Sequence, residues 1–409
     1  MLSVKLRFME NLIWSTGHQL KFDNIVEANN CHLTDSSGNQ WVDLESGVWS
    51  TSIGHSNPGI AKLISEQAGK LMHTGFCYCS ALNDRTSKKI LEINSMPGGK
   101  CEFLTSGSEA VEYAMRIARR VSQKPLALTF SDSYNGAYGD VSRPDPSSWF
   151  IYDRFGCGCN DPVYGCSGNC KSFREIPFHE IGIFLLEPGS SSGLVRFASD
   201  SLINRIVHQV KSVGGIVVAN EVTTGIGRTG KWFGYQHYQV NPGLVAMGKG
   251  LGNGYPVSAV AVSHKILNNP AFEGFHFSQS HQNDALGAAI AGEVIDIISE
   301  NELVKSSEIL GEYLKTSLLV LKEETTLIKE VRGRGLMLAI EFTSCADAIY
   351  NNLILKGFIT GRRRGTEVLR LDPALTIDLG IIDQFIAALR GLLLELTDEK
   401  AQNTCTNNR

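Results

Sequence analysis

One lysine stands out by its setting. Lys249 lies between Gly248 and Gly250, directly after the apolar run Leu244–Met247. An amine at the carboxyl end of a buried strand is taken out of water, which lowers its pKa and makes it nucleophilic toward a carbonyl. The surrounding MGKGLGNGYP argues against an ordinary surface lysine. A second apolar run, Ile216–Ala219, ends in Asn220 and Glu221. A third, Cys101–Leu104, leads into Thr105-Ser-Gly-Ser-Glu-Ala110 and a helix. Hydroxyls and free N–H groups at a helix N-terminus bind anions, and Gly107 admits close approach; the same residues also make a plain N-cap. Tyr134-Asn-Gly136 could stack on a flat ring or only pack. Glu187 and Asn220 could bond loop amides or the heteroatoms of one planar ligand. Ser278, Ser280, His281 and Gln282 form another polar cluster before a helix.

A second constellation is Cys157, Cys159, Cys166 and Cys170, spaced C-x-C-x6-C-x3-C among glycines. Four thiolates at such short range could wrap one Zn²⁺ tetrahedrally. Free thiols, an iron–sulfur cluster or disulfides are the other readings.

These residues need a scaffold. Leu126–Phe130, Ile181–Leu186, Gly215–Ala219, Leu244–Met247 and Val257–Val262 are short runs that are apolar on both sides, with helical stretches between them. Such strands build a mostly parallel sheet covered by helices, with ligands at the strand ends. Cys31–Gly47 reads as a hairpin broken at Asp35-Ser-Ser-Gly38, and Asn57-Pro58 starts a helix to about Met72. After about residue 290, Arg332–Phe342 reads as one strand, Glu367–Leu371 as another, and Ile382–Leu396 as an amphipathic closing helix. The expected fold class is α/β, with a smaller α+β domain.

A chain of 409 residues is too long for one ordinary core. The expected division is an N-terminal segment 1–45 belonging to the small domain, a large domain 46–290, and a small domain 291–409. A net charge of −4 gives no electrostatic case for nucleic acid, and no Lys/Arg block suits an anionic membrane. No apolar run is long enough to span a bilayer, and no signal peptide is legible, so the expected location is the cytoplasm with reduced thiols.

Thr105–Ala110, Tyr134–Gly136, Glu187-Pro188, Asn220–Gly230 and Met247–Ser258 together resemble the class III aminotransferases, which depend on pyridoxal 5′-phosphate (PLP) and have fold type I. The resemblance extends to Asp43–Gly47, Gly54-His55, Arg332–Ala339 and Leu369–Leu375, in the family's order. It implies a seven-stranded sheet in the large domain and a homodimer with active sites at the subunit interface. It implies that Lys249 holds PLP as a Schiff base and then moves the proton between Cα and C4′. Ser106, Gly107 and Ser108 would take the phosphate, with Ser280 supplied by the partner subunit. Tyr134 would stack on the ring, while Asn135, Glu187, Asn220, Val222 and Thr223 complete its surround. Arg370 would grip a substrate carboxylate, with Trp49 beside it; Phe76, Tyr78 and the cysteine loop are further candidates for the wall.

Three positions depart from the family. Its aspartate against the pyridine nitrogen is here Asn220, its histidine after the stacking aromatic is Asn135, and its EPVQGEGG run is Glu187-Pro-Gly-Ser-Ser-Ser-Gly193. A neutral amide cannot stabilise a protonated ring by charge. The resemblance implies transamination between an amino acid or amine and a keto acid, a reaction that this change would penalise. The alternative is racemisation or epimerisation, or β/γ-elimination or replacement, with a catalytically silent binding protein a more distant reading. The family lacks the cysteine cluster, so residues of about 155–172 read as an insertion.

Overall fold

The computed structural model describes residues 11–16, 18, 20–22, 24–75, 77–157, 159 and 166–406, with side chains to residue 397. Its central sheet has seven strands: β1 Lys100–Leu104, β2 Leu126–Phe130, β3 Trp149–Tyr152, β4 Ile181–Leu186, β5 Ile216–Asn220, β6 Leu244–Met247 and β7 Ser258–Val262. Their spatial order is β1-β7-β6-β5-β4-β2-β3. β7 is antiparallel to both neighbours, and every pair from β6 across to β3 is parallel. The expected mostly parallel sheet is the one that forms.

Helices cover both faces, which is why the strands read as unbroken apolar runs. Ile216 and Val218 of β5 join the core beneath helix α1, Gly107–Ser122. Val217 and Ala219 point the other way, into the cores beneath α2, Asp200–Ser212, and α3, Ala285–Glu300. Burying an Ile, Val or Leu side chain in this way contributes about 1.5–3 kcal/mol. Polar residues are costly inside such strands, so most of them collect where the strands end. The parallel arrangement brings those ends to one edge of the sheet.

Two four-stranded sheets complete the chain. Ile25–Asn29, His32–Asp35 and Gln40–Asp43 form an antiparallel meander, extended by Phe358–Ile359 in parallel with Gln40–Asp43. The other sheet holds Ile328–Arg334, Met337–Phe342, Val368–Leu371 and Gly361–Arg362. Here one expectation is corrected: Arg332–Phe342 is not a single strand but part of a hairpin, turning between Arg334 and Met337. Gly335 has a φ of 55°, and a Cβ there would lie 2.4 Å from the Thr229 carbonyl carbon. The turn is thus pressed against the loop that follows β5. Among the described residues no helix is long and apolar enough to cross a membrane.

Candidate active site

A cavity of about 1360 Å³ opens at the strand ends. Ser106, Gly107, Ser108, Tyr134, Asn135, Asn220, Val222, Thr223, Lys249, Arg370 and Trp49 all line it. They come from six separate stretches of chain.

Lys249 follows β6 with a φ of 45°, a left-handed conformation that costs a non-glycine residue roughly 1–2 kcal/mol. Its Nζ donates to Thr223 Oγ1 at 3.2 Å and stands 5.1 Å from the centre of the Trp49 ring. Burial pushes the amine down to about 8; Glu187 opposes this shift and Arg370 adds to it. Only the deprotonated amine attacks a carbonyl. Capture of PLP by cofactor-free protein should therefore fall about tenfold per pH unit below about 8 and level off above it. Stopped-flow absorbance between pH 6 and 9.5 measures this, and a rate that is flat across the range would contradict the buried-amine reading.

Trp49 is held by a strained turn. Ser46, Gly47, Val48 and Trp49 all have φ between 45° and 64°. Asp43 Oδ2 accepts from Gly47 N at 3.0 Å, and Arg228 Nη2 donates to Ser46 Oγ at 3.3 Å, which keeps the turn in place. Strain of this kind persists only where surrounding contacts over-determine it. Its result is an indole ring lying 3.8 Å from the Arg370 guanidinium carbon.

The α1 N-terminus forms the opposite wall. Ser106 Oγ caps the helix by accepting from Glu109 N at 3.2 Å, and Glu109 returns a carboxylate to Thr105 N at 2.9 Å. Ser108 Oγ accepts from Ala137 N at 2.9 Å. The backbone N–H groups of Gly107 and Ser108 have no intrahelical acceptor and so suit an anion. A Cβ on Gly107 would stand 2.4 Å from Val222 Cγ1, so only glycine lets the helix start meet the β5 loop.

Asn220 is buried, and its orientation follows from its partners. Its Nδ2 donates to Tyr134 O and to Asn135 Oδ1, each at 3.2 Å, while Oδ1 accepts from Val222 N at 3.3 Å. Tyr134 O can only accept and Val222 N can only donate, so the amide cannot be reversed. The capacity that remains on Asn220 is a lone pair on a neutral oxygen.

Three expected site residues lie apart from this wall. Glu187 sits behind it, accepting from Tyr134 N at 2.9 Å and from Ser191 N at 3.2 Å, with its carboxyl pushed up to about 7 by burial. Ser280 is exposed and off this cavity. Tyr78 is exposed and also off it, and Phe76 lies outside the described residues. The four cysteines converge elsewhere, beside β3.

Sequence reasoning did not single out several residues that matter here. Glu45 Oε1 accepts from Arg370 Nη2 at 3.1 Å, and its other oxygen pairs with Lys21 at 2.6 Å. Buried Arg228 donates to Leu336 O at 3.0 Å and to Pro373 O, tying the β5 loop to the C-terminal hairpin. Arg362, Arg363 and Arg364 line the cavity mouth. Their signal was present as Gly361-Arg-Arg-Arg-Gly365, an unusually basic stretch.

A family model described as aminotransferase class-III matches residues 14–144 and 163–393. The chain belongs to the class III aminotransferases. This aminotransferase is 30% identical over 382 residues to ornithine aminotransferase 1 of Staphylococcus aureus, covering 90% of this chain and 93% of that protein. It is 26% identical over 374 residues to the acetylornithine aminotransferase of Listeria monocytogenes, covering 90% and 94%. Among solved structures, an S-selective transaminase from an Arthrobacter species matches with a TM-score of 0.86 at 22% identity, over 95% of this chain and 96% of that one. The fold is fold type I, and the chemistry is PLP-dependent transamination of amino and keto compounds. The racemising or eliminating alternative that Asn220 raised is not favoured by these matches.

The residues present fit PLP. The cavity offers a buried amine of lowered pKa, a helix N-terminus for a phosphate, an aromatic ring at Tyr134 and an acceptor at Asn220.

Proposed function

We propose that this aminotransferase carries PLP on Lys249 and exchanges an amino group between an amino acid or amine and an acidic keto acid. The observation that carries the reading is the Lys249 amine, buried and with its pKa lowered to about 8, in one cavity with the α1 N-terminus and Arg370. Bound there, PLP supplies an aldehyde for the amino group and a ring that takes up the electron pair released at Cα. Gly107 and Ser108 N–H groups hold the phosphate. Tyr134 covers one ring face, its backbone fixed by Glu187. Lys249 Nζ moves the proton, and Thr223 Oγ1 orients it.

Arg370 binds the substrate carboxylate, stacked on Trp49. In the resting chain Glu45 occupies that arginine. A keto acid must displace Glu45, whereas an amine without a carboxylate at that point need not. The relatives named for ornithine and acetylornithine are consistent with a donor whose reacting amine lies far from its α-carboxylate. The arginines at the mouth favour a second anionic group on the acceptor. Glu45→Gln should lower KM for the keto acid about 5-fold, the equivalent of about 1 kcal/mol, with kcat little changed. Steady-state kinetics with the donor saturating measure it, and an unchanged KM would remove Glu45 from the account.

A homodimer is part of the reading. Ser280, exposed and off this chain's cavity, would reach the phosphate of the partner subunit's site. The division into segment 1–45, large domain 46–290 and small domain 291–409 is supported by the pairing of Phe358–Ile359 with Gln40–Asp43, which joins the N-terminal meander to the C-terminal part. We place the enzyme in the cytoplasm, where thiols stay reduced. The test is a panel of amino donors with a dicarboxylic keto acid, following the new amino acid by mass spectrometry. No product with any donor, and no cofactor fixed to Lys249 by borohydride, would defeat the reading.

A further inference from the structure

The family match is interrupted between residues 144 and 163. Cys157 and Cys159 fall in the gap, and Cys166 and Cys170 follow it at once. This insertion leaves β3, the edge strand of the central sheet, and returns to the short helix Lys171–Arg174.

The four Sγ atoms all lie within 4.8 Å of one another. Cys159 and Cys166 Sγ are 3.8 Å apart, and Cys166 and Cys170 Sγ are 3.4 Å apart. A tetrahedral ion with metal–sulfur bonds of about 2.3 Å sets its sulfurs about 3.8 Å apart, so the thiols already stand at the corners of such a site. They are free, and these separations are well beyond the roughly 2.05 Å of a disulfide. A polynuclear iron–sulfur cluster needs its thiolates spread around several metal ions, and this cage is too small for that.

Hydrogen-bond donors already aim at two of the four sulfurs. Cys166 Sγ accepts from Gly168 N at 3.1 Å and from Tyr152 Oη at 3.1 Å, and Cys170 Sγ accepts from Phe173 N at 3.4 Å. Donors aimed at sulfur stabilise its anion and orient it as a ligand. Cys166 is fully buried, and the other three pack against the apolar core under α2.

We propose that Cys157, Cys159, Cys166 and Cys170 bind one Zn²⁺ as four thiolates, and that this site braces the loop bearing Tyr134. Four protons leave as the four Zn–S bonds form, and no oxidation occurs. Zinc suits the set because it prefers tetrahedral sulfur and needs no redox partner. The brace runs through named contacts. Cys166 N donates to Arg154 O at 2.7 Å. Arg154 makes a buried two-pronged pair with Asp132, with Nε at 3.2 Å and Nη2 at 2.8 Å. Ser131 N donates to Tyr152 O at 3.1 Å. Asp132 is two residues from Tyr134. The metal site stands whatever the reaction is; its link to the cofactor rests on the role proposed for Tyr134.

The experiment uses full-length enzyme purified under reducing conditions without chelator. Elemental analysis should find close to one zinc per chain, and Co²⁺ exchanged into the site should show thiolate-to-metal charge transfer with tetrahedral visible bands. Cys159→Ser and Cys166→Ser should each drop zinc well below half an equivalent, while Cys101→Ser and Cys345→Ser keep it. Should the cluster variants misfold, wild-type protein stripped by a strong chelator should gain four titratable thiols and take zinc back. Zinc absent with those thiols already titratable, iron in its place, or a mass lowered by disulfide formation would each overturn the site. Metal removal should also raise the dissociation constant for PLP several-fold; full zinc occupancy with an unchanged PLP constant would overturn the brace alone.

Discussion

Lys249→Ala is expected to lower transamination on the order of 10⁴-fold, since it deletes both the amine that captures the cofactor and the group that moves the proton. The fold should survive. An alanine in the left-handed conformation at residue 249 costs about what the lysine does, and removing a buried amine relieves desolvation rather than leaving a partner charged. The variant should therefore unfold at the wild-type midpoint and still bind PLP through Gly107 and Ser108, but borohydride should fix no cofactor to it. Lys249→Arg is the sharper control. It keeps a cation near Trp49 but offers no neutral amine at any working pH. If it kept more than about a tenth of wild-type activity, charge and not nucleophilicity would be the contribution of residue 249.

Much of this site was legible before any coordinates, for a physical reason. A strand buried on both faces excludes polar residues until it ends. Asn220 and the Gly248–Gly250 stretch therefore marked the strand ends, and the parallel topology gathered them. Ile25–Asn29 and Trp149–Tyr152 were not legible, because an edge strand with partly exposed faces carries no clean period. Within the Ile328–Phe342 hairpin, Arg332–Phe342 was read as one strand because the turn at Gly335-Leu336 carries no Asn-Gly or Asp-Gly signal; the turn is specified by Gly335 against Thr229, a contact distant in sequence. Glu45 was missed for a similar reason. Nothing near residue 45 announces an arginine at residue 370; bonds made by the folded chain, from Asp372 N to Leu44 O and from Ser46 Oγ to Asp372 O, bring the two stretches side by side. The cysteine cluster was legible as donors, but convergence within 4.8 Å is a property of the folded loop.

Asn135 and Asn220 act as one unit, and the strongest gain of function should come from changing both. With its Nδ2 bound to Tyr134 O and Asn135 Oδ1, Asn220 offers the cofactor ring only a neutral oxygen. Aspartate alone at residue 220 would set a buried carboxylate against those same two oxygens, 3.2 Å away, without a proton between them. Asn135 could turn its amide to donate, but its Nδ2 now serves Thr129 Oγ1 at 3.2 Å. A histidine at residue 135 can donate one ring N–H to the carboxylate and accept from the Thr129 hydroxyl with the other nitrogen. The carboxylate is then free to support a protonated ring by charge, a bond about twice as strong as a neutral one. The double variant Asn135→His/Asn220→Asp should accelerate the first half-reaction about 10-fold over wild type, close to 1.4 kcal/mol. Asn220→Asp alone should gain less than the double variant, with a coupling of at least about 0.5 kcal/mol between the two sites. Single-turnover absorbance with one amino donor measures all four corners of the cycle. Additive effects would separate the two asparagines, and no gain in the double variant would show that ring charge does not limit this enzyme.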